Sequence, residues 1–217
     1  MRTHRKISPS NILIGIIFTI FFMSLGVILV VNFRPLYYLD INLLHIDQNS
    51  GISQTQIREN YDALIDYNSP FFHGDLEFPT LPSSPHGIQH FKEVKNIFVS
   101  FYYIAPITLI VIIVIGLYKK KRKDYSYLLT SSITMIILPL IVGIGTALNF
   151  DRLFIAFHKL FFRNNYWLFD PELDPIINLL PDTFFMHCAI LIALIIVIGS
   201  ASLYFIWRRL RTHSKYR

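Results

Sequence analysis

The chain has 217 residues, 53% of them hydrophobic, with 19 Phe, 12 Tyr and a formal net charge of +6. One cysteine, Cys188, excludes an intramolecular disulfide and any CxxC-type metal or redox motif, and a buried, inert thiol is the expectation for it. The placement of the charge, set out below, makes the basic balance an anchoring signal and excludes a nucleic-acid footprint.

Four runs of some twenty apolar residues stand out, at 11–33, 97–118, 125–148 and 184–207, and none contains Asp, Glu, Lys or Arg. About twenty such residues cross a hydrocarbon core of ~30 Å, so a four-span membrane protein is expected. The basic start MRTHRK suggests a signal peptide, but the run behind it is longer than a signal-peptide core. No A-x-A-like site follows it, and the first span is expected to stay as an anchor. Residues 1–33 are thus read as basic N-terminus and first span, 34–96 as an extracytoplasmic cap loop and 97–118 as the second span. Residues 119–124 form a basic loop, 125–148 the third span, 149–183 a second extracytoplasmic loop, 184–207 the fourth span and 208–217 a basic tail. The two ends and the 119–124 loop hold thirteen of the twenty Lys and Arg and only one acid, Asp124. Cytoplasmic loops are enriched in Lys and Arg, so both termini are expected inside.

In the first outer loop, YYLDINLLHI alternates. Tyr37, Leu39, Ile41 and Leu43 fall on one side, Tyr38, Asp40 and Asn42 on the other, which predicts a half-buried strand. SQTQIRENYDALIDYN predicts a helix with Ser53 as N-cap, Gln56 completing a capping box, and a stripe of Ile57, Tyr61, Leu64 and Ile65. GDLEFPTLP, broken by Pro79 and Pro82, is extended and a candidate partner for that strand. The cap is therefore expected to be small and mixed α/β. Ser84 then caps a helix with Pro85 at its first position, continuing into the second span. His86, His90, Val94 and Ile97 share its face. In the second outer loop, residues 151–162 have helical spacing and carry Phe154, Phe157, His158, Phe161 and Phe162. This piece is expected to lie along the membrane surface, with Tyr166 and Trp167 in the headgroup zone.

His45 and His73 read as surface residues. His187, one turn inside the fourth span, is a candidate for lining a site, since polar side chains there face a cavity or a partner helix. His86 and His90 have the spacing of a metal pair. An H-E-x-x-H site needs Glu after the first His, however, and Gly87 stands there. A zinc site with His158 as third ligand is one open alternative. No G-x-S-x-G elbow, phosphate loop or intramembrane acid is present. What remains by elimination is imidazole acid–base chemistry in an aromatic pocket at the membrane surface.

HFKEVKNIF and FHKLFFRNNYWLFDPELDPIINLLPDTFF resemble the two signatures of the bacterial lipoprotein intramolecular transacylases, and NYDALIDYN is similar to that family's first-loop helix. The second signature sets His158, Trp167, Asp170, Pro171 and Pro181 in order. The resemblance implies four spans with an extracytoplasmic cap in the bacterial cell membrane. It implies transfer of the sn-2 acyl chain of a diacylglyceryl-cysteine lipoprotein to that cysteine's own α-amine, giving the lyso form, without a cofactor. It also implies two catalytic histidines at the cap–membrane boundary: His158, and either His90 by its place in HFKEVK or His86 one turn earlier. Where the family is expected to carry an acid in the preceding turn, this chain has Gly87. Phe157, Phe161, Tyr166, Trp167, Asn165, Arg152 and His187 are the candidate substrate-binding residues, with the lipoprotein and membrane lipid as partners. Two readings from other classes stand beside this one: a non-enzymatic sensor or chaperone whose cap binds a partner, and a zinc-dependent membrane hydrolase.

Overall fold

A computed structural model describes residues 8–213, His213 without its side chain; the basic residues Arg2, Arg5, Lys6, Lys215 and Arg217 lie outside them. Seven helices follow in chain order: α1 (Pro9–Asn32), α2 (Arg34–Leu43), α3 (Ile46–Ser50), α4 (Gln54–Tyr67), α5 (Pro85–Lys121), α6 (Ser126–Phe161) and α7 (Asp182–His213). A 3-10 turn at Pro175–Leu179 precedes α7. Four of them, α1, α5, α6 and α7, are long and apolar enough to cross a membrane. The chain divides into two compact units. One comprises Met1–Val27, Tyr103–Ile144 and Ile190–Arg217, the other Ile28–Tyr102 and Gly145–Ala189.

The first unit is built from apolar helix segments. Ile14, Phe18, Leu128, Met135 and Ile196 pack inward, while Ile110, Val114, Ile137, Ile141 and Ile198 remain exposed, as side chains facing lipid would. Small residues let the backbones approach. A Cβ at Gly199 would stand 2.5 Å from the Phe22 ring, and one at Gly15 2.8 Å from Thr134. The Ser200 hydroxyl donates to the Ser132 carbonyl at 2.7 Å across this packing. Lys119 pairs with Asp124 at 3.0 Å and donates to Asn11 at 3.2 Å.

The second unit corrects the expectation of a mixed α/β cap, for no strand occurs among the described residues. The predicted strand 37–46 is α2 followed by His45 and the start of α3. Pro35 in the first turn of α2 has a φ already suited to a helix. The buried set is Tyr37, Asp40 and Ile41, spaced as a helix face, whereas Leu39 and Leu43, assigned to the same side as Tyr37, are 68% and 67% exposed. A period of two had been read through residues that obey 3.6. GDLEFPTLP runs without helix or strand; Leu76 is buried, and Thr80 bonds to Asn60. The α4 helix, its Ser53 N-cap and its apolar stripe are as expected, but the Gln56 side chain meets the Ser53 hydroxyl and not the backbone amide that a capping box uses. The Ser53 hydroxyl accepts from the Gln56 amide and donates to the Gln56 side chain at 2.9 Å, and Ile57, Tyr61 and Leu64 are buried, with Ile65 packed at the edge. Arg34 bridges Asp62, at 3.0 Å, and Asp66 on the polar face of α4.

Tyr37 is the keystone of this core. It is fully buried, stacks on Tyr61 with ring centres 3.7 Å apart, meets Phe184 edge-on at 5.0 Å and donates its hydroxyl to the Leu179 carbonyl at 2.7 Å. One side chain thus joins α2, α4, the 3-10 turn and α7. Tyr37→Phe, which orphans that buried carbonyl, is expected to cost about 1–3 kcal/mol. Tyr37→Ala is expected to cost ~3–5 kcal/mol. Thermal unfolding in detergent should rank the two in that order.

Candidate active site

The site lies within the second unit, on the first turns of α5 and the last turns of α6. Ser84 caps α5 as expected, its hydroxyl accepting from the Gly87 amide at 3.0 Å. Asp174, 3% exposed, accepts from the Ser84 amide at 2.7 Å and from its hydroxyl at 2.6 Å. Gly87 is what lets Asp174 approach, because a Cβ there would stand 2.3 Å from its Oδ1. The acid expected at position 87 would therefore meet a carboxylate.

Downstream, α6 is not continuous. Asn149 has φ −171° and ψ 101°, and its side chain accepts from the Arg152 amide at 2.8 Å, so it N-caps a separate helical piece that bears His158. The helical spacing of 151–162 is thereby accounted for, though the cap was missed in the sequence.

His90 and His158 come together, their ring centres 6.0 Å apart, with exposures of only 4% and 8%. Phe162 meets the His90 ring at 4.7 Å and Phe169 at 5.4 Å; Phe154 meets His158 at 4.1 Å and Trp167 at 4.9 Å. The His158 Nδ1–H donates to the Phe154 carbonyl at 2.8 Å. A carbonyl only accepts, so the proton sits on Nδ1 and the neutral ring has its lone pair on Nε2. His90 Nδ1 is buried with no hydrogen-bond partner among the described residues. Both residues flank the apolar runs, His90 two turns before Ile97 and His158 beyond the Asn149 break. Burial holds the His158 imidazole below its ordinary value of 6.5, against the pull of the Phe154 bond and of nearby Asp182. Burial, and then His158, push His90 down to about 4.

The other candidates fall at varying distance from this pair. His86 is exposed and stacks on Tyr166 at 4.4 Å, outside the buried pair. Phe157 packs edge-on against His158 at 5.5 Å, and Phe161 packs on Phe157, both half exposed. Arg152 and Asn165 are exposed. His187 binds the buried Asp40 carboxylate through Nδ1 at 2.9 Å, which ties α7 to α2. Cys188 is half-buried at the edge of that core. His45 and His73 are exposed. Among the described residues no three His, Cys, Asp or Glu converge as metal ligands, so the His86, His90 and His158 set does not assemble.

Two further residues bear on the site: Asn164, which the sequence offers with Asn165, Arg152 or a tyrosine as a holder of the oxyanion, and Glu93, which sequence reasoning missed. Asn164 gives its carbonyl to the Trp167 indole at 3.1 Å and its side-chain oxygen to the Tyr166 amide at 3.0 Å, and its Nδ2 donates to Glu93 at 2.9 Å. Glu93 lies one turn after His90, on the spacing H-x-x-E.

Four apolar helices define a polytopic membrane protein, and a pair of buried imidazoles meets within its second unit. The profile of the lipoprotein intramolecular transacylase Lit family matches residues 12–185, and the chain belongs to that family. It is similar to the solved structure of the membrane integral lipoprotein intramolecular transacylase Lit from Bacillus cereus. The two are 40% identical, with a TM-score of 0.89 over 96% of this chain and 99% of that one. Two further structures of that protein each have one histidine replaced. The arginine form is 40% identical with a TM-score of 0.83, and the alanine form 39% identical with a TM-score of 0.86. Both cover 95% of this chain and 94% of the other. No curated protein sequence matches the chain.

The depressed His90 value carries a consequence for stability. Between pH ~6.5 and ~4 the unfolded chain takes up a proton that the folded chain refuses, so stability falls as pH falls through this window. His90→Phe removes that group. Its thermal midpoint in detergent is expected to drop less than the wild-type midpoint between about pH 7 and about pH 4.5; parallel profiles would count against a neutral buried His90.

Proposed function

We propose that the chain catalyses the reaction its family is named for, in the following chemical form. The α-amine of a diacylglyceryl-cysteine lipoprotein attacks the sn-2 ester carbonyl of the same molecule. An amide C–N bond forms, the ester C–O bond breaks, and one proton passes from nitrogen to the glyceryl oxygen, giving the lyso form. The observation that carries this reading is the pair of buried imidazoles, His90 and His158, 6.0 Å apart in an aromatic enclosure.

The net reaction moves one proton, and one imidazole suffices to move it. With Nδ1 held by Phe154, His158 presents the Nε2 lone pair to the attacking amine and returns the proton to the departing oxygen. A ring held below 6.5 is neutral and basic near pH 7, and such transfer supplies roughly 10²–10⁴-fold. His90, neutral throughout, offers a ring N–H to the ester oxygen as it becomes negative. Phe162, Phe169 and Trp167 keep water out, so the amine rather than water attacks. Folding one substrate into a ring-closing geometry adds the advantage of an intramolecular step. The scheme uses no metal or nucleotide. The apolar run starting at Ile97 suits an ester in lipid beside an amine at the surface, and the basic ends support a topology with both termini on the cytoplasmic side of the bacterial membrane.

Mass spectrometry of a diacyl lipopeptide tests this reading. Wild type is expected to leave the mass unchanged while moving one acyl chain to the amine. His158→Ala should lose at least ~10²-fold in rate, His90→Ala a comparable ~10²–10³-fold, and His86→Ala little. The wild-type rate should decline on the acid side with an inflection below pH 6.5, where His158 becomes protonated. Full activity of His158→Ala would end the proposal, and silent histidine variants with a co-purifying protein would favour the sensor reading.

A further inference from the structure

Glu93 is the group this mechanism leaves unused. One carboxylate oxygen, Oε1, accepts from Asn164 Nδ2 at 2.9 Å and from Gln89 Nε2 at 3.4 Å. The other, Oε2, is sealed from solvent and has no hydrogen-bond partner among the described residues. Among the described residues no cation of the protein pairs with it. Lys92 is exposed, and Lys95 is spent elsewhere, donating to the Phe72 carbonyl at 3.1 Å and lying over the Tyr67 ring at 4.2 Å. A sealed carboxylate oxygen with neither a donor nor a counter-charge is costly, and native proteins rarely keep one. Glu93 is also built into the site. It follows His90 by one turn of α5. The Asn164 that grips it is the residue that holds the Trp167 indole, and that ring lies 4.9 Å from His158.

We propose that Glu93 Oε2 receives the α-ammonium of the substrate's amino-terminal cysteine, making this residue the one that selects a free amine. The inference rests on the transacylase reading and deepens it. An α-amino group has an ordinary pKa of about 7.7–8.0, so the acceptor arrives largely as a cation. Of the groups around the pair, Glu93 alone couples negative charge with an unfilled acceptor and a neighbouring histidine. Bound there, the ammonium supplies the missing donor and counter-charge. It then releases one proton through His158 Nε2 to solvent and attacks as the neutral amine; the second proton, lost from nitrogen on attack, passes by way of His158 to the glyceryl oxygen, so that ammonium and ester give amide, alcohol and one released proton. An amine already acylated, such as that of a mature triacylated lipoprotein, carries no charge for Glu93 to hold.

The test is binding, with probes that cannot react. One is a peptide whose amino-terminal cysteine bears a dialkyl-ether glyceryl group and a free α-amine. The other is the same peptide built on 3-mercaptopropionate, which lacks the amine. Near pH 6.5, wild-type protein in nanodiscs is expected to bind the amine form at least about tenfold more tightly. Glu93→Gln keeps an oxygen for Asn164 and loses the charge. It should bind both probes alike, with wild-type affinity for the des-amino form, and Glu93→Asp should retain part of the preference. Equal binding of the two probes by wild type overturns the proposal whatever the variants do, as does a full preference in Glu93→Gln. Conversion of the ester substrate separates this from the parent reading. Wild type that converts without discriminating refutes the amine site alone, whereas wild type that discriminates without converting refutes the transacylase reading.

Discussion

The arrangement depends first on one carboxylate at one helix end. Asp174 sits in the loop between α6 and α7 and holds the first turn of α5 through both the amide and the hydroxyl of Ser84. An acid at a helix N-terminus is favoured by the unsatisfied amides and the helix dipole, and here it is buried as well. The consequence is positional. His90 belongs to the helix that Asp174 caps, and Phe169 and Trp167 belong to the loop that Asp174 ends. Gly87 is part of the same joint, because any side chain at that position would push the cap away. A position that looks like a gap in a signature is instead the clearance that lets two loops meet.

Around this joint the protein accepts an unfavourable state. Histidines buried among phenylalanines lose hydration, and one keeps an unpaired ring nitrogen. The same burial makes both rings neutral near pH 7, as the proposed roles of base and uncharged oxyanion donor require. The Tyr37 core compensates within the same unit by joining α2, α4, the 3-10 turn and α7, and the His187–Asp40 pair adds a second tie between α2 and α7. His187, a candidate for lining the site, is therefore a strut. Its Nδ1 is committed to a carboxylate that is itself 2% exposed.

Much of this was readable in the chain itself. Spans free of charge, Ser53 and Ser84 as caps and the helix over 151–162 follow from hydropathy and local capping chemistry, which act over a few residues. The α2 segment was misread for the same reason. Tyr37, Leu39, Ile41 and Leu43 fit a strand face over seven residues, and only the tertiary contacts of Tyr37 and Asp40 decide for 3.6 over two. The choice between His86 and His90 was beyond sequence altogether. They share a helix face, and what separates them is the second loop, which buries one beneath Phe162 and Phe169 and leaves the other stacked on Tyr166 at the surface. Glu93 escaped notice because an acid between two lysines reads as a solvated face, and its burial comes from Asn164, seventy-one residues away.

The contrast between Glu93 and Asp174 gives the last step. Both are acids largely withdrawn from water in the same unit, but Asp174 spends its oxygens on a backbone amide and a hydroxyl that the chain always supplies. Its stabilisation is complete before any substrate arrives. Glu93 has one oxygen satisfied and one waiting, and the satisfied one fixes Asn164 and through it Trp167. A group with one oxygen committed to structure and the other unpaired is held in place before a ligand arrives, so little ordering cost remains for the ligand. That division of one carboxylate explains why the site can be rigid around neutral imidazoles and still favour a cation. The ammonium is drawn in by charge, and the reaction begins only when its proton leaves for His158.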